Sequence, residues 1–299
     1  MIAWRRQSVF FVAGETRLHG ELLLPKGKGP FPGVVLCHGL GTDHRAMRPT
    51  AQRLVREGIA TLAIDFHGHG LSEGVFEGEG ARDVNAALDY MSSHSMVDPA
   101  HVALVGHSMG STAAIQAATG REDICALVSL SSPSDMVEHY DNVDQIVSRL
   151  LHSAERRKDG IIELPRAGPM PGMSGLQGVI SVLWMWVRGY RLRIHMVNAF
   201  TRMMRLKPSR SLERMGAFPK LFVHCEGDKL APYQGALSLF ERARPPKDIL
   251  LLKGGTHASP LMPGRLRKRW IGWLVSVLKR ESATGEVKPV SGDSLCGGR

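Results

Sequence analysis

Val102-Ala103-Leu104-Val105-Gly106-His107-Ser108-Met109-Gly110-Ser111 is the stretch whose reading decides the fold. Four apolar residues in a row suit a strand covered on both faces, and Ser111–Ala118 reads as a helix. Between them lies a Gly-x-Ser-x-Gly pentapeptide, Gly106 to Gly110. So sharp a strand-to-helix turn forces its central residue into strained backbone angles, and only small neighbours two positions away avoid collision. Such a turn would expose the Ser108 hydroxyl at the carboxyl edge of a sheet and aim helix N-terminal amides at negative charge developing there. The pentapeptide alone is a weak signal; strand before it and helix after it make it a strong one.

Outward from this turn the chain alternates. On the N-terminal side, Gln7–Val12 and Leu18–Leu24 read as two strands with no helix between them, followed by the strand Gly33–Cys37, the helix Ala46–Glu57, the strand Ile59–Ile64 and the helix Gly80–Met91. On the C-terminal side come the strands Ala126–Leu130, Lys220–His224 and Ile249–Leu252, with helices over Gln234–Arg242 and Leu266–Leu278. Apolar strands alternating with helices imply an α/β fold with a mostly parallel sheet covered on both faces. The two leading strands are expected to form an antiparallel edge. Roughly Pro133–Met215 is too long for a structureless loop. Its helical stretches, Val143–Glu155, Val179–Val187 and Leu192–Arg205, predict an inserted cap at 133–215, leaving 1–132 and 216–281 as the catalytic domain. Residues 282–299 turn Gly/Ser-rich and are expected to be a disordered tail.

A serine at its free pKa is a poor nucleophile and needs a base that is itself oriented by a carboxylate. In an open parallel sheet the site lies at the carboxyl ends of strands. Two downstream segments end strands there: Cys225-Glu226-Gly227-Asp228 and Gly254-Gly255-Thr256-His257. Asp228 is therefore the expected acid and His257 the base, with Glu226 or Asp248 as substitutes for the acid. Two backbone donors should hold the oxyanion. The Met109 amide is one, and the loop Cys37-His38-Gly39-Leu40-Gly41 offers the Leu40 amide as the other. Gly39 lets the backbone approach a substrate closely, and His107 is a further candidate for substrate contact. His38 could serve as a base, but a structural hydrogen-bonding role is favoured.

His38-Gly39, the segment Asp65-Phe66-His67-Gly68-His69-Gly70-Leu71-Ser72, the serine turn, Gly227-Asp228 and His257 together resemble the α/β-hydrolase superfamily. Within it they are most similar to serine esterases of the cinnamoyl/feruloyl esterase, monoacylglycerol lipase and serine aminopeptidase-like group. The resemblance spans about Val9–Leu278 apart from the cap. It implies ester hydrolysis through an acyl-enzyme on Ser108, with no cofactor and no metal. An aspartate would stand at position 108 in the epoxide hydrolases and haloalkane dehalogenases of this fold, which excludes them. Cofactor-free haloperoxidases, thioesterases and peptidases share the Ser–His–Asp set and stay open. His67 and His69 have no third ligand in the turn, so a metal pair is not expected.

The chain of 299 residues is 43% hydrophobic and 22% charged, which excludes wholesale disorder. Three of its four cysteines, Cys37, Cys125 and Cys225, lie in apolar strand-like runs and are expected to be reduced core thiols, the fourth being Cys296. The apolar patch Val9–Val12 is shorter than the ~7 residues a signal peptide needs. No apolar run reaches the ~18 residues of a spanning helix. A cytoplasmic protein is expected.

The net charge of +10 is concentrated. From Leu164 to Leu212 there is no acidic residue, against Arg166, Arg188, Arg191, Arg193, Arg202, Arg205, Lys207 and Arg210. Beside them stand Trp184 and Trp186, candidates for substrate contact. Three readings follow: a cap packed by its apolar faces with solvated arginines, a basic aromatic surface that lies on anionic membrane, or a site for an acidic group on the substrate. Nucleic acid is not expected as a partner, since no recognition motif accompanies the charge. Two hypotheses follow for the whole chain. One is a hydrolase of small-molecule esters with an apolar acyl group; the other is a membrane-surface lipid-binding protein with a slow triad.

Overall fold

The computed structural model describes residues 3–135, 160–164, 187 and 189–284. Its main sheet has eight strands: β1 (Trp4–Ala13), β2 (Thr16–Pro25), β3 (Phe31–Cys37), β4 (Ala60–Asp65), β5 (Val97–His107), β6 (Ala126–Leu130), β9 (Lys220–Cys225) and β10 (Lys247–Leu252). They lie in the order β1-β2-β4-β3-β5-β6-β9-β10. All pairs from β4 to β10 are parallel, and β2 runs against both of its neighbours, giving the expected antiparallel edge. β4 and β6 are buried along their whole length, as strands covered on both faces must be.

Helices α1 (His44–Val55), α2 (Ala81–Ser93) and α3 (Met109–Ala117) belong to the first half of the chain. The second half holds α4 (Met196–Arg205), α5 (Pro208–Glu213), α6 (Tyr233–Arg242) and α7 (Arg265–Thr284). One face of the sheet packs on α1 and α7 through Met47, Leu54, Trp270 and Leu274. The other packs on α2, α3, α5 and α6 through Leu88, Ile115, Leu212 and Leu239. Two separate apolar layers fix the sheet, so the loops at its carboxyl edge start from rigid strand ends. Cys37, Cys125 and Cys225 are buried, and burial raises the Cys37 thiol far above its ordinary value.

Between β6 and β9 the described residues form the antiparallel pair β7 (Ile161–Leu164) and β8 (Leu192–His195), followed by α4 and α5. This corrects the expected helix over Leu192–Arg205, whose first four residues are a strand. The alternation Leu192-Arg193-Ile194 buries Leu192 and Ile194 and exposes Arg193. Main-chain hydrogen bonds from Gly70 to Arg191 and from Phe76 to Arg193, both to carbonyl oxygens, then hold the strand against the loop after β4. The expected helices Val143–Glu155 and Val179–Val187 lie outside the described residues, apart from Val187, as do Trp184, Trp186 and residues 285–299.

Candidate active site

The serine turn comes first. Ser108 joins β5 to α3 with φ 54° and ψ −124°, a left-handed conformation that side chains rarely adopt. The flanking glycines are sterically required. A Cβ on Gly106 would lie 2.4 Å from the Gly110 oxygen, and one on Gly110 would lie 2.4 Å from the His38 oxygen. The Ser108 amide donates to Leu130 O at 2.9 Å, tying the turn to β6.

The acid and base stand on the neighbouring strand ends. Asp228 follows β9, and its Oδ1 accepts from the amides of Leu230 (2.8 Å) and Ala231 (3.0 Å). Its Oδ2 accepts from His257 Nδ1 at 2.7 Å and lies 3.3 Å from His224 Nε2. Burial opposes the charge on Asp228. Hydrogen bonds from His224, His257, Ala231 and Leu230 outweigh that effect and hold the carboxyl well below its usual range. Of the substitutes, Asp248 accepts from the Trp273 indole at 2.9 Å and is not the partner of His257. The two loops also grip each other: Gly227 N donates to Gly254 O at 3.0 Å, an approach so close that a Cβ on Gly227 would lie 2.5 Å from the Gly255 oxygen.

His257 is further fixed through its own backbone. Its carbonyl accepts from His107 Nε2 at 3.0 Å and from Ser131 Oγ at 2.9 Å. His107, expected among the substrate contacts, thus turns towards the loop that carries His257. Burial pushes its imidazole down to about 4, so the ring is neutral at pH 7 and has one N–H to give. Ser131, at φ 46°, is the second non-glycine residue with positive φ among the described residues. The Ser108 hydroxyl makes no hydrogen bond to His257 in this state among the described residues, which is common before substrate closes a site.

The amides of Leu40 and Met109 have no hydrogen-bond partner among the described residues, so both are free to donate. Gly39 lies against the turn: a Cβ there would come 3.3 Å from Ser108 Cβ. His38 holds this loop from below. Its Nδ1 donates to Gly39 O at 2.8 Å, and its Nε2 accepts from the Phe66 amide at 3.3 Å. Burial lowers its pKa, and its ring packs edge-on against Phe66. Tyr190 reaches over from the segment before β8 and donates its hydroxyl to Gly41 O. Burial, with Asp43 nearby, keeps that phenol protonated.

His67 and His69 diverge. His67 Nδ1 pairs with Asp83 at 2.6 Å, whereas His69 Nδ1 donates to His67 O at 3.1 Å and its Nε2 accepts from Gly41 N at 3.4 Å. Among the described residues, His19, His44 and Asp65 come within metal-ligand reach of one another. Asp65 there takes hydrogen bonds from His19 Nδ1 (2.7 Å), His44 Nδ1 (2.9 Å), His44 N (2.7 Å) and Leu71 N (3.0 Å). This buried cluster is a joint between β2, β4 and the start of α1. His224, Ser131 and Tyr190 escaped the sequence reading, because nothing in their local sequence marks them.

The geometry is that of a hydrolase with a sheet-edge serine, and the comparisons name the family. The alpha/beta hydrolase family profile matches residues 34–269, and the chain belongs to that family. It is 27% identical over 247 residues to the quorum-quenching protein AidA of Acinetobacter baumannii, covering 77% of this chain and 81% of that one. It is 26% identical over 161 residues to mitochondrial acyl-coenzyme A thioesterase 2 of Mus musculus, covering 52% of this chain and 35% of that one. The first curated relatives it matches are spanned over about half their length (53%). Among solved structures, the α/β hydrolase GrgF from Penicillium sp. sh18 superposes with TM-score 0.72 at 21% identity, over 92% of this chain and 98% of that one. Among the described residues, no helix is long and apolar enough to cross a membrane.

Proposed function

We propose that this chain is a serine hydrolase that cleaves a carboxylic ester with an apolar acyl group through an acyl-enzyme on Ser108. Ser108 Oγ attacks the ester carbonyl while His257 Nε2 takes its proton, and the Leu40 and Met109 amides hold the oxygen that becomes negative. Collapse of the tetrahedral intermediate expels the alcohol, which receives the proton from His257. Water, activated by the same imidazole, then attacks the acyl-enzyme and releases the acid. Asp228 holds the ring in the tautomer that leaves Nε2 free to act as base, and its charge stabilises the imidazolium.

The observation that carries this reading is the Asp228–His257 hydrogen bond of 2.7 Å beside a strained serine turn, with the amides of Leu40 and Met109 unpaired among the described residues. The likeness to a thioesterase makes the thioester the second reading, since the same attack serves both bonds. The test is kcat/KM on p-nitrophenyl esters from acetate to palmitate, alongside acyl thioesters, with Ser108→Ala as the blank. The expected result is ester turnover that Ser108→Ala abolishes. Turnover unchanged in Ser108→Ala would overturn the proposal, and turnover confined to thioesters would move it to the second reading.

A further inference from the structure

The imidazole of His224 is fully buried in β9, four residues before Asp228. Its Nε2 lies 2.9 Å from the Ala231 carbonyl oxygen and 3.3 Å from Asp228 Oδ2. Both neighbours accept hydrogen bonds, so Nε2 carries the proton and shares it between them. Its Nδ1 is buried with no hydrogen-bond partner among the described residues. A proton placed there would be a buried donor without an acceptor, which fixes the tautomer with the proton on Nε2.

A lone pair buried unpaired costs stability, and an aliphatic side chain in the same strand would not carry that cost. What the imidazole does instead is seen at the acid. Asp228 Oδ1 takes the Leu230 and Ala231 amides, while Oδ2 takes His257 Nδ1 at 2.7 Å and the His224 N–H. Each carboxylate oxygen then has two donors, as many as its lone pairs accept. The bond to the Ala231 carbonyl ties the same loop back to β9. Two further titratable groups feel the charge on Asp228, His107 and the Cys225 thiol. Burial pushes the first down to about 4 and the second up, so neither changes charge near pH 7. Glu226 and Lys229, on the same loop, are exposed.

We infer that His224 is a positioning residue for the acid: by sharing Oδ2 with His257 it fixes the direction of the carboxylate and limits how strongly that oxygen draws the His257 proton. The inference rests on the reading of Asp228 and His257 as the acid and base that serve Ser108. A second donor on Oδ2 withdraws charge from the oxygen that stabilises the imidazolium. Without that donor the pull is stronger, and the base stays protonated to higher pH.

Three variants at this position test it. His224→Leu and His224→Asn withdraw the N–H from Oδ2, whereas His224→Gln keeps an amide N–H close to the place of Nε2. The acid limb of kcat/KM on p-nitrophenyl butyrate reports the free base. It is expected ~0.4 to 1 pH unit higher in both loss variants, the range one neutral hydrogen bond supplies, and near native in His224→Gln. The proton resonance of His257 Nδ1–H, read by NMR without substrate, should move downfield in the loss variants and return in His224→Gln. Either loss variant suffices if the other does not fold. An acid limb and a resonance that match native in the loss variants would overturn the role of His224 and leave the hydrolase reading intact, even if kcat and melting temperature fall. A resonance that moves as expected, in a native chain that hydrolyses neither ester nor thioester, would uphold the coupling to Asp228 and overturn the hydrolase reading.

Discussion

The site at the carboxyl edge and the segment between β6 and β9 are held by different physics. Asp228 and His257 stand on loops that leave β9 and β10, and those strands pair in parallel along their whole length. Ser108 is anchored to Leu130, and His257 to His107 and Ser131, so each functional group is fixed by strand ends that the two apolar layers immobilise. α4, by contrast, buries a single residue, Ala199. Its segment is held by main-chain hydrogen bonds to residues 68–76 and by the half-exposed pair Arg202–Glu77 at 3.0 Å, a kind of contact that contributes at most ~1 kcal/mol. The strand-end loops are fixed by close packing, whereas the inserted segment is held by backbone bridges.

The largest effect should come from the packed region. Asp228→Asn keeps the shape of the acid but turns a donor towards His257 Nδ1, and kcat should fall by ~10³-fold or more with the melting temperature little changed. A fall below tenfold in ester kinetics would mean that the Asp228–His257 bond is structural.

His107 sharpens the same point one residue from Ser108. His107→Ala removes one of the two donors on the His257 carbonyl and should lower kcat ~10- to 100-fold with KM nearly unchanged. The residue also predicts an acid limit. The unfolded chain takes up a proton on His107 and on His69 near pH 6.5, whereas burial holds the folded values down to about 4 and about 3. Between pH 6.5 and 4 the unfolded state therefore binds more protons, and stability falls as the pH falls through that window. Thermal melts at pH 7, 5.5 and 4.5 should show the decline. A flat profile would contradict the neutral buried imidazoles.

The smallest effect is expected where the two regions meet. Tyr190→Phe deletes the hydroxyl bond to Gly41 that links the inserted segment to the Leu40 loop. Ester kcat/KM should drop ~2- to 5-fold at an unchanged melting temperature. A loss as large as that of Asp228→Asn would erase the distinction between the regions.

The same contrast governs what the sequence discloses. The serine turn, Asp228 and His257 are legible because each follows a short apolar strand and is marked by glycines its local geometry requires. For His38 the sequence favours a structural role, but its partners, Gly39 O and the Phe66 amide, come from the folded chain. Ser131 lies 126 residues from His257 and Tyr190 lies 149 residues from Gly41, so only the folded chain reveals their roles. Leu192–His195 carried a strand signal in its alternation, but the helical run that follows it outweighed four residues. Its partners, β7 and the loop after β4, are distant in sequence.

The central claim is that Ser108 is the nucleophile at the rigid edge, and covalent trapping tests it most directly. Native protein treated with an alkyl fluorophosphonate should gain one adduct by intact mass. Peptide mapping should place it on Ser108, with none in Ser108→Ala and slowed labelling in Asp228→Asn. An adduct on another residue, or native protein that stays unlabelled, would contradict the account.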